Sequence, residues 1–376
     1  MKTKICTLFV LVSILFSACG NKTSQSTVNN GDTLHLDYAS LLTIVEYDDY
    51  TEVSIDNPWR ENSVLAKYLL VPRNSKIPKN LPEGTIVRTP LKRCVVFTTA
   101  HAALIEMLGA IDCIGGVADL KYMLLPDIRQ RVAIGRIEDC GDAMSPNIEK
   151  IVDIEADGIM LSPFDNSGGY GRVEEIGIPI IECADYMETS ALGRAEWMKF
   201  YGLLFDKEAE AVELFNTMIA KYEKLAHLAL QSKVRLSILT ERLTGSTWYV
   251  PGGKSSISQI IEDANGEYAF ANDEHSGSVP LTFETVLDKC GKSDVWIFNH
   301  YANEPITYTQ FAAEHNGYAS FEAFKRKNVY YVNSAKVPYF EEVSFRPDKL
   351  LREYIILLHP DLKSKLGELK YYKPLL

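Results

Sequence analysis

Cysteine-pair motifs are missing from this 376-residue chain. Its seven Cys include no Cys-x-x-Cys and no Cys/His grouping at finger spacing, which argues against a structural zinc site and against a disulfide scaffold. Basic charge is also short. The 39 Lys plus Arg face 50 Asp plus Glu, a net charge of −11, so no cationic excess exists to neutralise a phosphate backbone and a nucleic-acid partner is excluded. No Gly-x-Ser-x-Gly and no His-Glu-x-x-His occurs, so the usual hydrolase and zinc-protease elbows are absent. The seven His are scattered, with no His-rich loop to mark a bare-metal site. The run PGGKSS at 251–256 falls short of a phosphate loop because position 248, where the first Gly belongs, is Trp248. It reads instead as the start of a helix whose backbone N–H groups could face an anion. GGYG at 168–171 lacks the third Gly of a dinucleotide fingerprint and reads as a cleft loop. No short-period repeat is present, which sets solenoids and propellers aside.

What is present begins with an address. Lys2 and Lys4 precede a twelve-residue apolar run at 5–16, and Ser17-Ala18-Cys19 follows, with small residues directly before a Cys. This is the pattern of a secretory signal, too short for a permanent membrane span, and it resembles the bacterial lipobox. That resemblance implies cleavage before Cys19 and lipidation of its thiol. Residues 1–18 are then a signal peptide and residues 19–33, rich in Asn, Ser, Thr and Gly, a flexible tether. The processed chain carries 37 basic and 50 acidic residues, and its five remaining Cys, at 94, 113, 140, 183 and 290, leave at least one thiol unpaired. The location expected is the periplasmic side of the cell envelope, with the protein held to a membrane by its lipid.

Residues 34–92 show strand character at 41–47, 52–55 and 64–71, a small antiparallel β extension, with a loop-like, Pro-rich stretch at 76–90. From residue 93 short apolar runs alternate with helical segments, the signature of an α/β class. In residues 93–205, strands are expected at 94–97, 111–117, 158–161 and 179–183, with helices at 100–108, 147–155, 172–176 and 188–205. Residues 206–231 hold one long helix of about 37 Å, with Asp206 as its N-cap and Phe215, Tyr222 and Ala229 on one face. Residues 232–376 repeat the α/β grammar, with strands at 234–240, 295–299 and 329–332 and helices at 255–264, 283–290, 318–326 and 347–358. Two α/β lobes bridged by one long helix are therefore predicted.

The runs RCVVFTTAHAALIEMLGAIDCIGGVA, PNIEKIVDIEADGIMLS, SSISQIIEDANG and TFETVLDKCGKSDVWIF, spread over residues 93–360, resemble the iron-complex and cobalamin class of ABC-transporter substrate-binding proteins. The resemblance implies two lobes on a rigid helix, a ligand in the cleft between them, and no chemistry. It also implies one exposed Glu per lobe gripped by Arg residues of the permease dimer in the inner membrane. PNIEKI places that role on Glu149 and QIIEDANG on Glu262, with Glu106 as a first-lobe competitor. A carboxylate matches a guanidinium bidentately, so two such pairs fix orientation.

Cleft contacts are expected from loops at the strand ends: Thr98, Thr99, His101, Tyr122 and the 164–166 stretch with Phe164 in the first lobe. The second lobe offers Arg242, Trp248, Tyr249, His300, Tyr301, Tyr339 and Phe340. Aromatic rings with few polar tips suit a large planar or macrocyclic ligand. The cargo implied is a metal chelate, an iron complex such as haem or a ferric siderophore, with cobalamin as the alternative. Arg242 is the one clear cleft cation, which disfavours an anionic siderophore. A rival reading is a secreted enzyme using Asp165, His101 and His300 as acid and base. No resident cofactor or protein-bound metal is expected.

Overall fold

The computed structural model describes residues 31–165 and 169–376, so Cys19, the signal, most of the tether and Asn166 lie outside the described residues. The first sheet holds Asp32–Thr33, Leu42–Glu46, Thr51–Asp56, Val64–Pro72 and Thr85–Thr89, in that order. The first four strands are antiparallel, as the patterning predicts, but the fifth joins parallel, pairing Tyr68 with Thr85 and Val71 with Arg88. The Pro-rich stretch thus contains a strand. Its Thr-Ile-Val-Arg-Thr core is rich in β-branched residues, and the prolines stay outside the strand, Pro78 and Pro82 in the crossover before it and Pro90 directly after it, where no ladder donor is needed.

One face of this sheet, carrying Leu42, Ile44, Val53, Ile55, Tyr68, Leu70 and Val87, is buried against helices Ala191–Glu196 and Met198–Phe205. Tyr68 stacks on Phe200 with centroids 6.1 Å apart. Two fully buried carboxylates complete the attachment. Glu196 accepts from the backbone N–H of Asp37, Tyr38 and Ala39 at 2.8–3.1 Å, and Glu188 from those of Ser40 and Leu41 and from Trp197 Nε1. Buried charge tolerates this setting because donors surround it.

The first lobe is a five-stranded parallel sheet in the order Ile180–Glu182, Gly158–Leu161, Cys94–Val96, Ile114–Val117, Glu138–Asp139. Its strands are apolar on both faces because helices cover both. A side chain at Gly116 would meet Ile154 at 2.7 Å and Cys140 Sγ at 2.8 Å, so glycine there lets the Ile148–Asp153 helix sit close. The second lobe places Glu267–Tyr268, Ser237–Thr240, Val295–His300, Val329–Asn333 and Lys373–Pro374 side by side, the last antiparallel. A separate antiparallel sheet, Leu243–Thr244, Thr247–Pro251 and Ser278–Leu281, flanks it.

Between the lobes runs the helix Glu208–Ala229, 22 residues and about 33 Å long. Phe215, Met218, Tyr222 and Ala229 form its buried face, joining the apolar cluster that holds Met198–Phe205 and the closing helix Pro347–Leu358. Asp206 does not cap it. With φ 58° and ψ 48°, Asp206 is the left-handed C-cap of the preceding helix, and Lys207 takes the N-cap position without a side-chain bond. The segment at 318–326 is a 3-10 turn at Asn316–Ser320 followed by the short helix Glu322–Lys325. The five Cys of the body are all free thiols, four of them buried and Cys113 half-buried. Burial pushes the Cys140 and Cys290 thiols up to about 12, which makes them poor nucleophiles.

Candidate functional site in the interlobe cleft

The carboxyl ends of the first-lobe strands lead into Phe97-Thr98, Ala118-Asp119 and Ser162–Asp165, and those of the second lobe into Glu241-Arg242 and Tyr301. Loops at these ends are where open parallel sheets form ligand crevices. The lobes touch through Leu124 N, which donates to the buried carboxylate of Glu341 at 2.9 Å, and through the Tyr122 and Tyr301 rings, 5.2 Å apart and edge-on. Phe345 of the second lobe packs edge-on against His101 and Tyr201 at 5.5 and 5.8 Å, with the Arg194 guanidinium 5.9 Å from its ring.

Between these contacts lies a cavity of about 1000 Å³ walled by both lobes. Phe164 enters from the first lobe and Tyr249 from the second, 49% and 47% exposed. Asp165, Arg194, Glu241, Arg242, Glu274 and His275 supply its charged groups and its imidazole, and Trp59 of the N-terminal sheet stands at its edge. Arg194, Glu241, Pro251, Ser256 and Ile257 also border a smaller inner chamber of about 250 Å³, lined by Phe298, Tyr339 and Phe340 among others. A third hollow of about 590 Å³ in the first lobe holds Thr98, Asp119, Met144 and Tyr170 and shares Phe164.

The two cavity arginines arrive with partners. Arg194 Nε donates to buried Asp185 at 3.0 Å, and Arg242 Nη1 to Glu314 at 2.7 Å, with its guanidinium 4.9 Å from the Phe298 ring. Glu314 offsets the charge of Arg242, whereas Arg194 shares the single carboxylate of Asp185 with His101. Glu241 sits at φ 62°, held there by its N–H on Ile297 O and by Trp296 Nε1 on its own carbonyl. A left-handed non-glycine residue at a cavity wall is a strained position of the kind that clusters at binding sites. Burial raises its carboxyl above the usual range, against the Asn299 backbone N–H and Arg242.

Two residues expected in the cleft are taken into the protein instead. His101 is 2% exposed: Nε2 lies 2.8 Å from Asp185 Oδ1 and 3.1 Å from Tyr201 Oη, and Nδ1 is engaged by Thr98 Oγ1. Burial opposes its charge, but Cys183 and Asp185 outweigh burial and raise the imidazole to about 10. Trp248 is 0% exposed, donates Nε1 to Thr240 O, and stacks on Trp296 at 5.5 Å inside the second-lobe core. Thr98 caps the Thr99–Met107 helix, and Thr99 Oγ1 is buried without a hydrogen-bond partner. His300 Nδ1 pairs with Arg242 at 3.2 Å, and burial followed by that cation lowers its pKa. Tyr122 and Tyr301 line the lobe contact rather than the large cavity. Tyr339 lies in the inner chamber with its hydroxyl 3.2 Å from that of Tyr372.

Sequence reading passed over Trp59, Arg194, Tyr186 and Glu241. Arg194 looks like an ordinary helix residue until Asp185 is seen beside it, and Trp59 sits in what reads as a strand-separating turn. The glycines of PGGKSS serve packing: a Cβ at Gly252 would meet His275 O at 2.1 Å and one at Gly253 would meet Asp273 O at 2.3 Å. Ser255 Oγ occupies Ser258 N as a cap. Glu149 and Glu262 are exposed on the helices Ile148–Asp153 and Ser256–Asp263, whereas Glu106 is half-buried. Among the described residues no group of three or more His, Cys, Asp or Glu is placed to hold a metal, and no helix is long and apolar enough to cross a membrane.

Two sheet-based lobes on one rigid helix, closing on a large cavity with aromatic and charged walls, define a two-lobed solute-binding protein. The comparison with known families narrows this. Residues 95–335 match the periplasmic binding protein family, and the chain belongs to it. An uncharacterized lipoprotein of Methanocaldococcus jannaschii is 24% identical over 393 residues, covering 94% of this chain and 92% of its own length. Among solved structures, S. aureus IsdE complexed with heme aligns with a TM-score of 0.56 at 18% identity, over 71% of this chain and 98% of that one. The periplasmic vitamin B12 binding protein BtuF of Vibrio cholerae aligns with a TM-score of 0.52 at 14% identity, over 71% and 96%. These likenesses establish the fold. Solute-binding proteins of this family act by capture and release, not by catalysis.

Proposed function

We propose that this chain is the substrate-binding lipoprotein of an ABC importer, anchored through Cys19 at the periplasmic face of a membrane. It captures an iron complex, haem or a ferric siderophore, in the interlobe cleft and delivers it to the permease dimer. Cobalamin is the alternative cargo. The observation that carries this reading is the cavity of about 1000 Å³ faced by Phe164 and Tyr249 from opposite lobes. It stands at the upper end of small-molecule sites and suits a macrocycle. Arg242 is paired with Glu314 and Arg194 shares Asp185 with His101, so among the described residues the cavity has no cluster of free cations for a strongly anionic ferric siderophore, and its aromatic walls favour a macrocycle. Two proteins of similar fold, IsdE in complex with heme and the vitamin B12 binding protein BtuF, support the chelate class. Glu149 and Glu262, one exposed on each lobe, are the carboxylates offered to the permease. The enzyme alternative loses support because His101 is buried in a structural pairing with Asp185.

The test is a titration of the chain from residue 21 onward with hemin, ferric desferrioxamine and cyanocobalamin, read by visible absorbance. One of the three binds with a submicromolar Kd. Absence of binding below tens of micromolar for all three overturns the reading.

A further inference from the structure

Residues 34–92 precede the stretch that matches the family, which begins at residue 95. Yet their second hairpin turn, at residues 57–63, brings Pro58 and Trp59 to the same cavity that Phe164 enters from the first lobe and Tyr249 from the second. The turn is built to hold its shape. Asn57 Oδ1 accepts from Trp59 N at 2.9 Å and from Arg60 N at 3.1 Å, Asn57 N donates to Ser63 O at 2.8 Å, and Ser63 Oγ donates to Arg60 O at 2.8 Å. The sheet behind it is fixed to the first lobe by the buried carboxylates of Glu188 and Glu196 and by the Tyr68–Phe200 stack. Trp59 therefore moves with the first lobe and meets a ligand as a preorganised surface, which spares ordering entropy on binding.

Of the four Trp in the chain, Trp197, Trp248 and Trp296 are fully buried and Trp59 alone is partly exposed. A partly exposed Trp on a hydrogen-bonded turn, lining the same cavity as Phe164 and Tyr249, offers a ligand a large aromatic contact area. We propose that the 57–63 turn is a third wall of the cleft and that Trp59 is a specificity-determining residue, laying its ring against the flat apolar face of a macrocyclic metal chelate. This rests on the cleft-binding reading given above. It assigns the N-terminal sheet a share in ligand selection, in addition to its packing.

The test compares the wild type with Trp59→Ala, Trp59→Tyr and Trp59→Phe, using hemin and cyanocobalamin as macrocycles and ferric desferrioxamine as a non-macrocyclic chelate. The ring is partly exposed, so all three variants keep the wild-type unfolding midpoint. Trp59→Ala weakens binding of the macrocycle that the wild type takes by about tenfold, in keeping with the loss of one stacked ring, while Trp59→Tyr stays within about twofold. In the free protein, the iodide-quenchable Trp emission belongs to Trp59, disappears in Trp59→Phe, and is shielded by saturating cargo. If the cargo binds, Tyr249→Ala weakens it and Trp59→Ala does not, the cleft reading stands and the third wall is overturned. Iodide quenching unchanged by saturating cargo overturns it equally. If none of the three chelates binds the wild type, the cleft reading fails and the wall falls with it.

Discussion

One cluster of the first lobe packs aliphatic side chains, Val95, Ile151, Ile154, Ile159 and Leu161, its rings Trp197, Phe200 and Tyr201 lying in a separate cluster shared with the N-terminal sheet, whereas the second lobe buries Trp248, Trp296, Phe298, Phe311, Tyr318 and Phe321 in one cluster. In the second lobe ring meets ring at close range, Trp296 to Phe321 at 4.9 Å and Phe298 to Phe311 at 4.6 Å. Aromatic abundance near strand ends therefore signals different things in the two halves. In the second lobe most rings are consumed by the core, and the strand Thr247–Pro251 divides them: Trp248 and Val250 face inward, Tyr249 faces the cavity. Successive side chains of a strand point to opposite faces, so two neighbouring aromatics cannot both be ligand contacts from one strand. The first lobe, with few rings in its aliphatic cluster, presents Phe164 to the cavity from a loop.

The largest effect tests whether the lobes, so unlike inside, act as equals outside. Glu149→Ala with Glu262→Ala should leave chelate binding in solution unchanged and abolish uptake in whole cells, and each single change should weaken uptake strongly. Full uptake by the double variant removes the docking assignment.

Next, Trp248→Ala should destabilise the protein by about 3–5 kcal/mol in urea denaturation, through a cavity in the aromatic core and an orphaned Thr240 carbonyl. A loss below about 1 kcal/mol would mean that Trp248 is not a core residue, and the contrast between lobes would break.

A third test concerns the face where the lobes meet. The folded-state pKa of His101 is raised to about 10, above an unfolded value of about 6.5, so its contribution is fully present below the unfolded value and is lost as pH rises through the folded one. Asp185, whose pKa is lowered, contributes stability above its unfolded value that is lost as pH falls. Stability should thus decline between about pH 6.5 and 10, and His101→Gln should remove most of that slope. An unchanged slope refutes the charged pair.

The smallest effect sharpens the aliphatic side. Ile159→Val should cost about 0.5–1.5 kcal/mol, measured by the same denaturation, well under the Trp248 change.

Much of the fold was legible because buried parallel strands are short β-branched runs between helices. Gly158–Leu161, Phe283–Cys290 and Pro347–Leu358 fall where their patterns place them. The two-residue strand Glu138–Asp139 carries too little apolar signal to be seen, and Thr85–Thr89 hides behind its prolines. At the site, strand-end position pointed toward Phe164, Arg242 and Tyr249. It could not separate Trp248 from Tyr249 without the alternation argument, nor foresee that Asp185, 84 residues away, would draw His101 inward. Trp59 was illegible for a plainer reason: only the folded chain carries the N-terminal turn to a cleft formed more than a hundred residues later.

The central claim is that one metal chelate sits between the lobes. Anomalous diffraction at the iron or cobalt edge, from crystals grown with the chelate that binds best, tests it directly. The account predicts a single metal peak inside the cavity bounded by Trp59, Phe164 and Tyr249. A peak elsewhere, such as the groove between Lys67 and Ile180, with the interlobe cavity empty, would contradict it.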